Sequence, residues 1–247
     1  MQPTSELYDF FTRAYQHFNR HLFDSALAPC MLTIQRQKGC MGLFYPERWV
    51  TDGGARCHEL ALNPTYFGTS RLVEVFQTLV HEQCHMWQQE YGRPSRSGYH
   101  NREWAQRMES IGLMPSSTGE PGGRRTGQCM SDYALPDGLF LAAARKFIEG
   151  GGRLKWLDRF RVPDRPRPDS PLLPLGEEAG EVLLTPVASL FDDVQGEDFE
   201  APRPSVDRNK LKYTCPGCGC NVWGKPGLRI RCEPCDLGLH SEAWSGP

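Results

Sequence analysis

The sequence predicts an α+β chain in which helices and a small three-stranded sheet are followed by a small metal-held module. Three observations carry this reading. Apolar residues recur at helical spacing over 5–22, 69–91, 101–111 and 136–149, and short extended runs lie between the first two of these segments. The composition turns acidic and proline-rich at about residue 163. Two CxxC pairs follow near the C-terminus.

The first helix, 5–22, places Leu7, Phe11, Ala14, Phe18 and Leu22 on one stripe, with Thr4 or Ser5 as its cap. Extended runs are expected at 30–36, 41–45 and 57–63, with the turn "TDGG" at 51–54 before the third. In that third run His58, Leu60 and Leu62 alternate with Cys57, Glu59 and Ala61, as a half-buried strand requires, so His58 reads as a strand-face residue. Residues 69–91 form the most apolar helix, with Thr69 or Ser70 as the expected cap and Gly92 after its end. The helix 101–111 presents Trp104, Met108 and Ile111 on one stripe. A glycine- and serine-rich loop, 115–128, separates it from a helix at 136–149, with Pro136 in its first turn.

Three domains are expected: 1–162, a connector at 163–208, and 209–247. They carry 19 basic and 16 acidic groups (+3), 4 and 11 (−7), and 5 and 3 (+2). Residues 169–202 hold nine acids and neither lysine nor arginine, a composition that predicts disorder. Within the connector "LLPL" and "VASLF" are the candidates for a partner motif. No apolar run approaches the roughly 20 residues that span a bilayer, so no membrane partner is expected. The N-terminus lacks a basic start with an apolar stretch behind it, which predicts an unsecreted, cytoplasmic protein. Ten cysteines in a chain of this kind point to metal rather than disulfides.

The stretch "LVHEQCH" puts His81 and His85 one helical turn apart, about 40° around the axis, so both imidazoles face one ion. Glu82 lies about 100° round from His81, placed to act as general base on a zinc-bound water. His100 is the preferred third ligand, because "GRPSRSGYH" reverses the chain before it. Glu90 and Glu103 are the weaker alternatives. Cys84 points away and reads as a packing residue. Tyr99 and Tyr133 are candidate oxyanion donors.

Cys215, Cys218, Cys232 and Cys235 form CxxC, thirteen residues, CxxC, the pattern of a four-cysteine structural zinc site. Two zinc ions per chain are thus expected, one catalytic and one structural. Lys210, Lys212, Lys225, Arg229 and Arg231 make this module basic, and Trp223 offers a stacking surface. Together with Arg124 and Arg125 of the glycine-rich loop, these residues are the candidate contacts to nucleic acid.

"LVHEQCH…GYHNREWAQRMESIGL", the opening "FNRHLFDSAL" and the strand "HELALNP" resemble the SprT-like family of zinc proteins, which includes a DNA-repair protease. The resemblance covers most of 5–135 and again 211–240. It implies a minimal zincin with an edge strand able to pair with an extended peptide, His81, His85 and His100 as zinc ligands, and Glu82 as the catalytic glutamate. Asn101 follows His100 where glycine is common in the family. The implied activity is a metalloendopeptidase acting on proteins bound or crosslinked to DNA. Two alternatives compete: a non-catalytic nucleoprotein-binding or transcription-associated module, and a zinc hydrolase of a non-peptide amide.

Overall fold

The computed structural model describes residues 2–37, 39–160, 178–191 and 210–241. The chain divides into two compact units, Met1–Ala201 and Pro202–Pro247.

In the first unit, helix α1 (Pro3–Leu22) buries Phe10, Phe11, Ala14, Tyr15 and Phe18. Its start is fixed by Pro3 in the first turn rather than by a Thr4 or Ser5 cap. Three strands follow, β1 (Met31–Ile34), β2 (Gly42–Val50) and β3 (Arg56–Leu62), in the order β1-β3-β2. β1 runs parallel to β3 and β2 antiparallel. Leu60 and Leu62 face the core, while Glu59 lies on the opposite face. There Glu59 is fully buried and accepts hydrogen bonds from Thr33 at 2.8 Å and Trp49 Nε1 at 2.7 Å, with Arg48 3.2 Å away. The sequence reading ends the second strand at 45, before Pro46. The strand in fact continues to Val50 through a register shift between Tyr45 and Trp49. A bulge on an edge strand tolerates a proline, which removes one ladder hydrogen bond and no more.

Helix α2 (Leu72–Tyr91) runs through the core, burying Leu72, Val73, Val75, Phe76, Leu79, Val80, Cys84 and Met86. Its expected cap is corrected. Residues Pro64–Thr69 wind into a 3₁₀ turn capped by Asn63, so Thr69 and Ser70 are already spent. Arg71 is the cap instead, with its N–H donating to the Glu74 carboxylate at 2.6 Å and its guanidinium pairing with the same group at 2.8 Å. Helix α3 (Arg102–Ser110) is capped by Asn101, whose Oδ1 accepts the Trp104 N–H at 3.0 Å. Asparagine after His100 therefore has a structural role: it starts the helix that supports the site.

Strands β4 (Leu113–Ser116) and β5 (Ser131–Ala134) pair antiparallel across the glycine-rich loop. This hairpin is absent from the sequence reading. Helix α4 (Leu139–Glu149) starts after Gly138, so Pro136 precedes it rather than opening it. Phe140 and Phe147 of α4 pack with Phe10, Phe18 and Phe76 at ring separations of 5.5–6.3 Å.

The connector reading is corrected at 178–191. Helix α5 (Glu178–Leu184) and a 3₁₀ turn (Val187–Leu190) are part of the first unit, with Leu183 and Val187 fully buried. The Leu72 N–H donates to the Thr185 carbonyl at 3.3 Å, and the Val187 N–H to Ser70 at 2.8 Å. Few apolar side chains suffice here because they enter an existing core instead of building one. "VASLF" is thus engaged by its own chain, while "LLPL" lies outside the described residues. Leu183→Ala should lower the stability of this unit by about 2–5 kcal/mol, measurable as an earlier urea midpoint. An unchanged midpoint would show that the segment does not hold the core together.

In the second unit β6 (Leu211–Thr214) lies between β7 (Asn221–Gly224) and β10 (His240–Ser241), and β8 (Arg231–Cys232) pairs with β9 (Leu237–Gly238). Its interior is Tyr213, Cys215, Cys232 and Leu239, far too small a core to fold unaided. Tyr213 ties the turn at 225–228, donating to the Lys225 carbonyl at 2.6 Å and accepting the Leu228 N–H at 3.1 Å.

Candidate metal centres

Helix α2 presents His81 and His85 one turn apart, and the chain before α3 brings His100 to meet them. The Nε2 atoms of His81 and His85 each lie 3.1 Å from Nε2 of His100. Trp104, in the first turn of α3, is fully buried and packs against all three rings, with centroids 4.4–5.3 Å away.

The other ring nitrogens explain why these three converge. His81 Nδ1 lies 3.0 Å from Asp132 Oδ2, and His100 Nδ1 lies 3.2 Å from the Gly127 carbonyl. A carboxylate and a carbonyl can only accept, so both Nδ1 atoms carry the proton and both Nε2 atoms present lone pairs. Lone pairs facing one another at 3.1 Å repel unless a cation lies among them. An ion bonded at 2.0–2.1 Å in tetrahedral geometry holds its ligands about 3.3 Å apart. The three histidines therefore fit a zinc ion with one position left open.

Electrostatics agree. Burial, aided by His81 and His100, holds His85 well below the usual histidine range. Burial and His81 lower His100 to about 4. At neutral pH both are the uncharged ligands a metal needs. Burial would lower His81 too, but its hydrogen bond to Asp132 and the charges of Glu82 and Asp132 raise it overall. Glu82 is buried and pushed up to about 7, chiefly by desolvation, with His81 opposing. A carboxyl near pH 7 is suited to taking and returning protons. The backbone of β2 passes directly over it: a Cβ on Gly42 would meet Glu82 Oε1 at 2.8 Å. The sheet edge thus begins beside the base.

Asp132 is the functional residue that the sequence reading missed. It sits on β5, and Gln77 Nε2 donates to its Oδ1 at 2.9 Å while Oδ2 faces His81. A carboxylate behind a ligating histidine fixes the tautomer and raises ligand basicity. Asp132→Ala should weaken zinc at this centre about 10- to 100-fold, read by competition with a chromophoric chelator. Equal affinity would remove Asp132 from the site.

Of the alternatives for third ligand, Glu103 accepts from Gln88 Nε2 at 2.7 Å and the Arg93 N–H at 2.6 Å, and Glu90 faces His58 at 3.7 Å. Neither joins the histidines. Tyr99 lies under the Arg96 guanidinium, 5.2 Å from its ring centroid, and Tyr133 pairs with Met114 across the β4–β5 hairpin. Cys84 is fully buried among core side chains.

In the second unit Cys215, Cys218, Cys220 and Cys232 bring their thiols within 4.8 Å of one another. Cys218 and Cys232 are 3.6 Å apart, close to the roughly 3.8 Å spanned by two thiolates on one zinc. Cys218 is lowered to about 6, first by the Cys220 backbone N–H and then by the thiols of Cys220, Cys235 and Cys232. Cys235 borders the same cluster: its Sγ would lie 3.0 Å from a Cβ on Gly217. Hydrogen bonding to Cys218 and Cys232 pushes Cys235 up to about 12. Four thiols therefore surround a place for one ion, and they include Cys220 with Cys235 at their border, where the sequence reading names Cys235 as the fourth.

The SprT-like family model matches residues 11–121, the span that holds His81, Glu82, His85 and His100. Residues 11–121 are thus similar to the SprT-like family. That family is zincin-like and related to metalloproteases. A similar curated protein is an uncharacterized protein in the mucB 3' region of Salmonella typhimurium, 46% identical over 48 residues. The match spans 19% of this chain and 65% of that relative, just under two thirds of its length. No solved structure matches the chain. No helix among the described residues is long and apolar enough to cross a membrane.

Proposed function

We propose that the SprT-like domain is a zinc-dependent endopeptidase whose substrates are proteins bound or crosslinked to DNA. The observation that carries the proteolytic reading is the pairing of three converging ring nitrogens with a buried carboxyl of pKa about 7 one residue from His81. A purely structural zinc site has no use for such a group. His81, His85 and His100 would hold the ion, Asp132 and the Gly127 carbonyl orient two of them, and Trp104 forms their floor. Zinc, when bound, supplies Lewis acidity toward a peptide carbonyl and lowers the pKa of a coordinated water.

The chain's own groups do the rest. Glu82 accepts the proton of the attacking water at its carboxylate and delivers it to the departing amine nitrogen. β2 offers an exposed sheet edge that starts at Gly42 beside Glu82, suited to holding an extended peptide by main-chain hydrogen bonds. The DNA-linked substrate class is supported by the family resemblance and by the basic second unit. Both loop arginines are exposed; Arg125 is already paired with Glu109, and Arg124 has no ion pair among the described residues. The test is cleavage of a DNA-bound protein by the wild-type chain, with and without DNA, against Glu82→Gln. If the wild type leaves every such substrate intact, the domain is a binding module and this reading falls.

A further inference from the structure

A metal centre drawn from two elements needs their separation fixed. His81 and His85 share α2, so the helix alone sets their spacing. His100 arrives on the chain just before α3. Between α2 and His100 run residues 92–99, which form neither helix nor strand. A turn without a backbone ladder does not hold a ligand in place by itself.

A closed set of hydrogen bonds spans that turn. Gln88 lies three residues on from His85, about 60° round the helix axis, and is only 3% exposed. Its Nε2 donates to Asn101 Oδ1 and to Glu103 Oε2, both at 2.7 Å. Glu103 Oε2 also accepts the Arg93 N–H at 2.6 Å, and Asn101 Nδ2 donates to the Arg93 carbonyl at 3.1 Å. Asn101 Oδ1 in turn accepts the Trp104 N–H at 3.0 Å. A carboxylate and a backbone carbonyl only accept, and a backbone N–H only donates. These fixed ends leave one arrangement for both amides, with Gln88 as the double donor.

Gln88 therefore ties the ligand-bearing helix to the residue next to His100. It also ties it to the first turn of α3, whose Trp104 packs under all three rings. Gly92 belongs to the same clasp: a Cβ there would lie 2.5 Å from Glu103 Oε2. Glu103 is outside the set of groups that converge with the histidines, so its task is to hold the turn rather than the ion. On the far side the His100 backbone is bonded to Gly127. That second hold makes the expected effect of losing the clasp partial.

We propose that Gln88 and Glu103 are positioning residues for the metal centre, clasping the turn 92–99 so that His100 meets the two histidines of α2. The inference rests on the reading of the three histidines as zinc ligands. A clasp that only supports the fold would act with or without the His100 ring. A positioning clasp acts on the metal through that ring alone.

The test uses the full chain and reads zinc affinity at this centre by competition with a chromophoric chelator. Gln88→Ala and Glu103→Ala should each weaken zinc about 10-fold, the lower end of what supporting partners of metal ligands contribute. Glu103→Gln should keep most of the affinity, because one amide oxygen can accept both bonds that Oε2 accepts now. The deciding comparison is made on a His100→Ala background. There Gln88→Ala should cost nothing further, since the ring through which it acts is gone. Equal affinity of the wild type and Gln88→Ala would overturn the proposal. So would the same loss with and without His100, or a Glu103→Gln variant as weak as Glu103→Ala. If Gln88→Ala does not fold, the two Glu103 variants carry the same comparison. Zinc is read without cleavage. A chain that behaves as expected here but cuts no protein loses the peptidase reading and keeps the clasp. A chain whose zinc affinity is indifferent to His100→Ala loses both.

Discussion

Glu82→Gln is expected to leave both metal centres filled and to lower peptide-bond cleavage about 10²- to 10⁴-fold. The substitution keeps side-chain volume and removes only the proton-accepting group. Since Glu82 is not among the three converging nitrogens, zinc content measured by emission spectroscopy should not change. The same variant should be the more stable protein once metal is stripped. The carboxyl titrates near 7 in the folded chain against an ordinary 4.5, with burial as the cause. The unfolded chain therefore ionises first, and folded stability is lost as pH rises from about 4.5 through 7. A shift of that size corresponds to about 3 kcal/mol above pH 7. In chelator at pH 8, Glu82→Gln should unfold at higher urea than the wild type, and the gap should close by pH 4. A gap that is constant with pH would mean that Glu82 is not held protonated by its surroundings. Unchanged cleavage would remove it as the base.

Cys215→Ser is expected to unfold residues 210–241 outright, because metal supplies roughly 10–16 kcal/mol to modules of this kind and the core here is four side chains. The informative comparison is between Cys220 and Cys235. The paired CxxC turns favour Cys235 as the fourth ligand, whereas the thiol positions favour Cys220. Cys220 also has a second task, since its backbone N–H supports Cys218 and its carbonyl accepts from Cys215. A serine at 220 keeps both backbone bonds. Cys220→Ser should retain zinc and fold, while Cys235→Ser should lose both. The reverse outcome in metal analysis and circular dichroism would assign the ligand to Cys220.

How much of this was legible in the sequence depended on distance along the chain. His81, Glu82 and His85 share one helix, so helical periodicity alone relates them. His100 follows after a short reversal, and turn chemistry brings it into range. Asp132 lies 51 positions from His81. It arrives through a hairpin of two four-residue strands, one containing Pro115, across a loop of glycines and serines. No local pattern announces such a hairpin. The 178–191 segment was misread for a related reason. Its composition describes a chain that has no core of its own, and it borrows one from α2 and α4. At the cysteine cluster spacing names Cys235 and the thiol positions name Cys220, and only measured coordination separates them.

His100 and Gly127 are joined three times: by two backbone hydrogen bonds of 2.8 and 3.1 Å and by the ring. The loop 117–130 is thus a lever with its fulcrum on a metal ligand. Any movement of the loop at Gly127 would therefore carry the His100 backbone and ring with it.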